Sequence, residues 1–250
     1  MAIDSITPRY ASRGATGDLI TIAGTGFGAV QGAGTLTIGG QAVIVAAWAA
    51  AEITCRADDS PVTPLGSQDL VLTPDGGSAE TWTKAIYVYN ATDNDDAAKV
   101  EIGLVDAIYI DGVHVGKTVG GASITPGERS LPFQPDDVHS PEFELVLERW
   151  ADLAFVASQI TAANIAKAMG TSALTTPTRV VWAGDAGNKT EVSIMVVDGV
   201  GVRYILPRCR VVTPAALGLA TEDWTGIPFN FRAYEISKSE RDCYIIQSPQ

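Results

Sequence analysis

Three groups of residues have the types that chemistry requires. Gly24, Gly26 and Gly28, within "TIAGTGFGAVQGAGTLTIGG" (21–40), could open a loop that cradles phosphate. Such a loop needs a strand before it, a helix opening directly after it, and an acidic residue about 20 positions on. "DLITIA" supplies the strand, but Gly28, Gly32 and Gly34 follow, each costing a helix about 1 kcal/mol relative to Ala. Ala29 also stands where the third glycine of the fingerprint belongs, and no Gly-Lys-Ser/Thr ending is present. The glycines are better read as turns between strands, where they supply positive φ. Asp93, Asp95 and Asp96 begin like a calcium loop, but the glycine and the distal glutamate that loop needs are missing. Glu142, Glu144 and Glu148 could form an acid/base pair, yet no partner group accompanies them and a solvent or lumen face is the simpler reading.

The remaining chemistry-bearing residues are sparse. Cys55, Cys209 and Cys243 form no CxxC pair and are expected as buried, reduced thiols. With two histidines, His114 and His139, a zinc site is not expected. No catalytic, metal-binding or cofactor-binding constellation emerges, so the reading is of a non-enzymatic protein without a cofactor.

The chain has 250 residues and a formal net charge of −12, with 18% charged residues. It is long enough for one or two domains with a real core. The acidity argues against a free-standing reader of DNA, which carries a basic patch, but suits a surface past which DNA must move without sticking. "MAIDSITPRY" lacks the basic and apolar segments of a signal peptide, and the apolar run Ala42–Ala51 is too short to span a bilayer. The sequons at Asn90 and Asn188 are read as chance.

From Ile3 to Tyr89 the pattern predicts seven short strands, near 5–10, 18–24, 34–39, 41–47, 52–57, 68–74 and 80–89. That many strands with turn signals every 8–12 residues describe a β-sandwich. The Ala-rich segment before Trp48 is read as strand because Val43, Ile44 and Val45 are β-formers. "ITPRYASRGATGDLITIAGTGFG" followed by "LTIGGQAVIVAAWAAAEITC" resembles the IPT/TIG immunoglobulin-like family, through Ile6, Pro8, Gly14, Ile22, Gly24, Gly26, Phe27, Gly28, Gly39, Trp48, Ile53 and Cys55. The paired prolines Pro61 and Pro64 depart from its single-proline turn. The resemblance implies a binding or spacer module over 1–90, followed by a polar linker at 91–98.

Residues 99–250 read differently. Alternation through Val105, Ala107 and Tyr109 leads into Asp111-Gly112, a hairpin signal. Lys117 to Pro141 is rich in Gly, Pro, Ser and Asp and reads as a long loop, which in a compact domain is often functional. "EFELVLERWADLAFVAS" reads as strand broken near Trp150. "TAANIAKAMG" reads as one short helix, with Thr161 as N-cap and Gly170 as its stop. Strands return in "TRVVWAG", "KTEVSIMVVDG", "VRYILPRCRVV" and "IPFNFRAYEI". The predicted fold class is mainly β: an N-terminal Ig-like β-sandwich, then a tail-tube-like β-sandwich or barrel with one short helix.

That name comes from a second resemblance. "IYIDGVHVGKTVGG", "ITAANIAKAMG" and "TGIPFNFRAYE", in that order, make residues 99–250 similar to the tail tube (major tail) proteins of long-tailed bacteriophages. The resemblance implies a virion protein made in the bacterial cytoplasm, which self-assembles as a homohexameric ring stacking into a tail tube. It implies tail terminator, baseplate or tip, and tape-measure proteins as partners, phage DNA in transit during ejection, and no membrane. Ring closure would remove free sheet edges. The candidate loop for contact with another subunit or ring holds Lys117, Arg129, Phe133, Asp136 and Asp137; the candidate ring seam is Asn230, Arg232 and Tyr234, on the face opposite Phe229, Phe231 and Ala233. The alternative is an extracellular carbohydrate- or cell-surface-binding module built of Ig-like domains.

Overall fold

The computed structural model describes residues 1–13, 17–57, 63–90, 105–116, 118–133, 143–157, 168, 191–212, 226–236 and 245–247. The protein is almost all β.

The N-terminal part is a two-sheet sandwich. One sheet runs in the order β1 (Ala2–Thr7), β3 (Ile20–Thr25), β7 (Glu52–Arg56), β6 (Ile44–Trp48). The other runs β2 (Tyr10–Ser12), β9 (Glu80–Tyr89), β8 (Gly66–Thr73), β4 (Thr35–Ile38), β5 (Gln41–Ala42). Alternating apolar residues from both sheets meet in the core, among them Ile6, Ile22, Phe27, Ile53, Leu70 and Ile86. The expected strands are present; the one expected near 5–10 is split, β1 pairing with β3 and β2 running parallel to β9. The glycines of the opening stretch do turn work: Gly26 and Gly28 have φ of 77° and 90°. A strand, β4, follows them where a nucleotide loop needs a helix.

The second body is one sheet. Its order is β11 (Val113–His114), β10 (Val105–Ile110), β14 (Val192–Asp198), β15 (Arg203–Val211), β16 (Ile227–Tyr234), β13 (Phe143–Ala157), β12 (Thr118–Phe133), with β17 (Ile245–Gln247) beside β15. One core cluster joins Ile108 and Ile194 from one half of this order to Leu153, Phe155, Phe229 and Phe231 from the other, so the sheet curls over on itself. The three phenylalanines stack, Phe155 on Phe229 at 4.7 Å and Phe229 on Phe231 at 5.7 Å. Asp111 and Gly112 form the expected two-residue turn, both at positive φ, between the paired Ile110 and Val113.

Three expectations need correction or fall elsewhere. The stretch from Lys117 was read as a long loop; Thr118–Phe133 is instead a 16-residue strand paired with β13. Its glycines and prolines misled because β12 lies at the sheet edge. Gly120 and Gly121, at φ of 77° and 83°, sit where the register shifts. Pro126 and Pro132 are tolerated in an edge strand whose missing N–H groups face away from the partner. Likewise β13 is unbroken at Trp150; its irregularity lies at Leu147, the extra residue where the pairing steps from Arg129–Glu148 to Ser130–Val146. The helix expected over 161–170 falls outside the described residues except for Ala168, which is helical and buried against the core of the second body. The strand expected in "TRVVWAG" and the polar stretch at 91–98 lie outside them too.

Candidate functional site

The β12–β13 hairpin is longer than the sheet that holds it. β13 pairs with β16 only from Trp150, opposite Tyr234, to Ala157, opposite Ile227. Beyond Trp150 the hairpin continues alone, from Glu128 opposite Arg149 to Phe133 opposite Phe143. This two-stranded arm carries large apolar side chains in the open. Leu131 and Leu145 face each other across the ladder at 56% and 54% exposure, and Leu147 is 49% exposed. The arm's ion pair, Arg149 to Glu128 at 3.6 Å, is more than half exposed and contributes little.

Trp150 braces the base of the arm. It lies opposite Gly127 and covers it so closely that a Cβ on Gly127 would sit 2.6 Å from the indole Cε2. The Arg232 guanidinium stacks over the other side of the problem, 4.9 Å from the Trp150 ring, and is held there by two bonds to Asp152 at 2.7 and 2.8 Å. At the opposite end of the same hairpin, Gly120, Gly121, Ala122, Ala154, Val156 and Pro228 line a shallow recess of about 320 Å³, with Ser123 and Asn230 at it.

The sequence-predicted residues are divided by this arrangement. Arg129 and Phe133 belong to the arm, as strand and not as loop. Lys117, Asp136 and Asp137 lie outside the described residues. Asn230, Arg232 and Tyr234 do share the non-core face of β16, while Phe229, Phe231 and Ala233 are buried behind it. Yet β16 runs between β15 and β13, so it is not an edge along which another chain could add a strand. The end strands are β11, two residues long, and β12 with its two prolines; both are poor templates for strand addition.

A second arrangement fixes the two bodies to each other. Residues Ala85–Tyr89 on β9 and Val192–Val197 on β14 are buried without a break. One face of each strand fills its own core: Ile86 and Val88 the sandwich, Val192, Ile194 and Val196 the second body. The other face joins a shared cluster of Tyr10, Tyr87, Tyr89, Ala107, Tyr109, Met195, Val197 and Ile205. Polar contacts key it. The Tyr87 hydroxyl accepts from the Gly112 N–H at 2.9 Å and donates to the Tyr109 carbonyl at 3.1 Å. The Ser193 hydroxyl accepts from Ser67 N–H at 3.0 Å and donates to Asp111. Gly112 is pressed into the sandwich: a Cβ there would lie 2.6 Å from Leu65 Cβ and 2.8 Å from Gly66 N.

Arg203 donates to the Tyr10 hydroxyl at 3.2 Å and stacks on its ring at 4.1 Å. Burial pushes the Tyr10, Tyr87 and Tyr89 phenols up from their ordinary value. At the rim, Lys84 from β9 donates to the Pro207 carbonyl and lies 3.9 Å from Glu191. Glu191 also accepts from Arg208 and Arg210; the Arg208 hydrogen bond above all holds its carboxyl down at about 2. Sequence reading missed this junction. Its signal was present in "AIYVY" and "VSIMVV", where near-continuous apolar runs replace alternation, as in strands covered on both faces.

An Ig-like sandwich keyed onto a curled β sheet defines an all-β protein of two bodies. Residues 1–86 match the model of the IPT/TIG domain family, so the chain carries an IPT/TIG domain at its N-terminus. A comparison with curated proteins finds no significant match.

Proposed function

We propose that the protein is a structural, self-assembling virion subunit: the tail tube protein of a long-tailed bacteriophage, with its IPT/TIG domain on the outside of the tube. The observation that carries this reading is the arm. A two-stranded ribbon is marginally stable alone in water, and this one extends past its sheet with Leu131, Leu145 and Leu147 in the open. Apolar surface of that kind on an ordered element is what a partner covers. The resemblance of residues 99–250 to tail tube proteins supplies the partner, other copies of the same chain in stacked hexameric rings. On this reading the protein performs no catalysis; tail terminator, baseplate and tape-measure proteins meet the tube, and phage DNA passes through it. The net charge of −12 per copy suits that passage, because like charges keep DNA from adhering.

Electron microscopy and light scattering of the purified protein test the proposal. Rings or tubes are expected, with Leu145→Ser shifting the population toward monomers. A protein that stays monomeric at high concentration and binds glycans on an array would overturn the proposal in favour of a carbohydrate- or cell-surface-binding module.

A further inference from the structure

We infer that the arm of one copy docks its leucines into the recess beside Gly120 and Gly121 of a second copy. The inference rests on the self-assembly reading and names the contact that reading leaves open. Both halves of the contact lie on one hairpin. The arm offers Leu131, Leu145 and Leu147 as exposed knobs. The recess, at about 320 Å³, is at the low end of the range of small-ligand pockets, about 300–1,000 Å³. Its lining is complementary in chemistry: the Ala122, Ala154, Val156 and Pro228 side chains are apolar, and Gly120 and Gly121 have open space where a side chain would stand.

The hairpin cannot satisfy itself. Ten residues separate Gly121 from Leu131 along β12, about 30 Å at roughly 3.3 Å per residue. The recess is anchored by β16 and the arm lies beyond it, so the knob must come from another molecule. The contact then joins two different patches. Such a heterologous contact propagates from copy to copy, closing as a ring or continuing as a stack. It also needs no strand addition at β12, which Pro126 and Pro132 obstruct.

Crosslinking tests it in a Cys243→Ser background, since Cys55 and Cys209 are buried. Leu145→Cys protein is mixed with Ser123→Cys protein and treated with a short bismaleimide. The expected result is a covalent dimer in the mixture, at least tenfold above that of either variant alone. Dimers of Leu145→Cys with itself at equal yield would mean that arms pair with arms and would overturn the inference while leaving self-assembly intact. Assembled particles without the mixed crosslink would overturn it equally. Absence of any assembly would sink both readings. Ala154→Trp, which fills the recess from its rim, is the second variant. It is expected to raise the concentration needed for assembly at least tenfold with the melting temperature of the subunit unchanged; unaltered assembly would count against the recess.

Discussion

Replacing Tyr87 by Phe removes one oxygen atom and leaves the ring in place. No cavity of consequence forms, so the change isolates the two hydrogen bonds that the hydroxyl makes across the junction. Gly112 N–H loses the acceptor at 2.9 Å, and the Tyr109 carbonyl loses the donor at 3.1 Å. Tyr87 is 1% exposed, and water cannot easily replace the missing group. A buried donor left without a partner costs about 1–3 kcal/mol. The expected loss is therefore about 2 kcal/mol, all of it from the coupling between the IPT/TIG domain and the second body. Urea unfolding followed by far-UV circular dichroism and by tryptophan fluorescence reads it. The wild type is expected to unfold with coincident transitions by both probes, because the bodies share the tyrosine cluster. The variant is expected to unfold earlier, with the two probes beginning to diverge.

Gly112→Ala presses on the same contact by a different route. Its φ of 73° costs a side-chain-bearing residue about 1–2 kcal/mol. The added methyl meets Leu65 and the Gly66 backbone, and overpacking adds about 1–3 kcal/mol. Because both changes strike one contact, the double variant is expected to lose less than the sum of the single losses. A Tyr87→Phe protein within about 0.5 kcal/mol of wild type, with probes that still coincide, would refute the claim that this hydroxyl keys the junction.

Two further outcomes follow from the same region. Glu191 has a folded-state pKa of about 2, below its ordinary 4.5, so its stabilisation is complete above that ordinary value and is lost as pH falls through about 2. Its side chain is 32% exposed, so screening reduces the contribution to about 1 kcal/mol. Glu191→Gln is expected to lose that amount at pH 7 and to show a flatter acid-unfolding profile than the wild type between pH 5 and 2; parallel profiles would contradict the assignment. Burial pushes the Cys55 thiol up to about 12, so it stays protonated and covered at neutral pH. A thiol-reactive dye is expected to label Cys55 only after denaturation, as read by peptide mass spectrometry, and rapid native labelling would show that the sandwich opens locally.

The sandwich was legible because its strands alternate. "ITIA" and "EITC" bury every second residue, and the glycine turns between them admit few other readings. Asp111-Gly112 was legible as a turn, but its second duty, pressing between Leu65 and Gly66, depends on residues nearly 50 positions away in the chain. The β12 strand was illegible for a physical reason. Local propensity scores Gly120, Gly121, Pro126, Gly127 and Pro132 against strand, whereas at an edge each has a place: a bulge, a free N–H side, a bed for Trp150. Arg232 and Asn230 were placed on the correct face of β16. What period alone could not reveal was that β16 has a neighbour on each side, because strand order is a property of the whole sheet.

That order constrains how copies of the chain can meet. A sheet ending in a bare, regular strand would invite indiscriminate pairing. Here one end is the two-residue β11, and the other is β12, where the prolines remove donors from a row of outward positions. A continuous backbone ladder from copy to copy through β12 is therefore disfavoured, and side chains must carry specificity instead. The exposed leucines of the arm are placed for that, and their placement is inherited from the interior. Trp150 on Gly127 and Arg232 on Asp152 fix the arm's base to the sheet, and Tyr87 and Gly112 fix the sheet to the IPT/TIG domain. With each joint rigid, every copy would present its arm and its IPT/TIG domain at one relative angle, the condition a repeating assembly requires of its subunit.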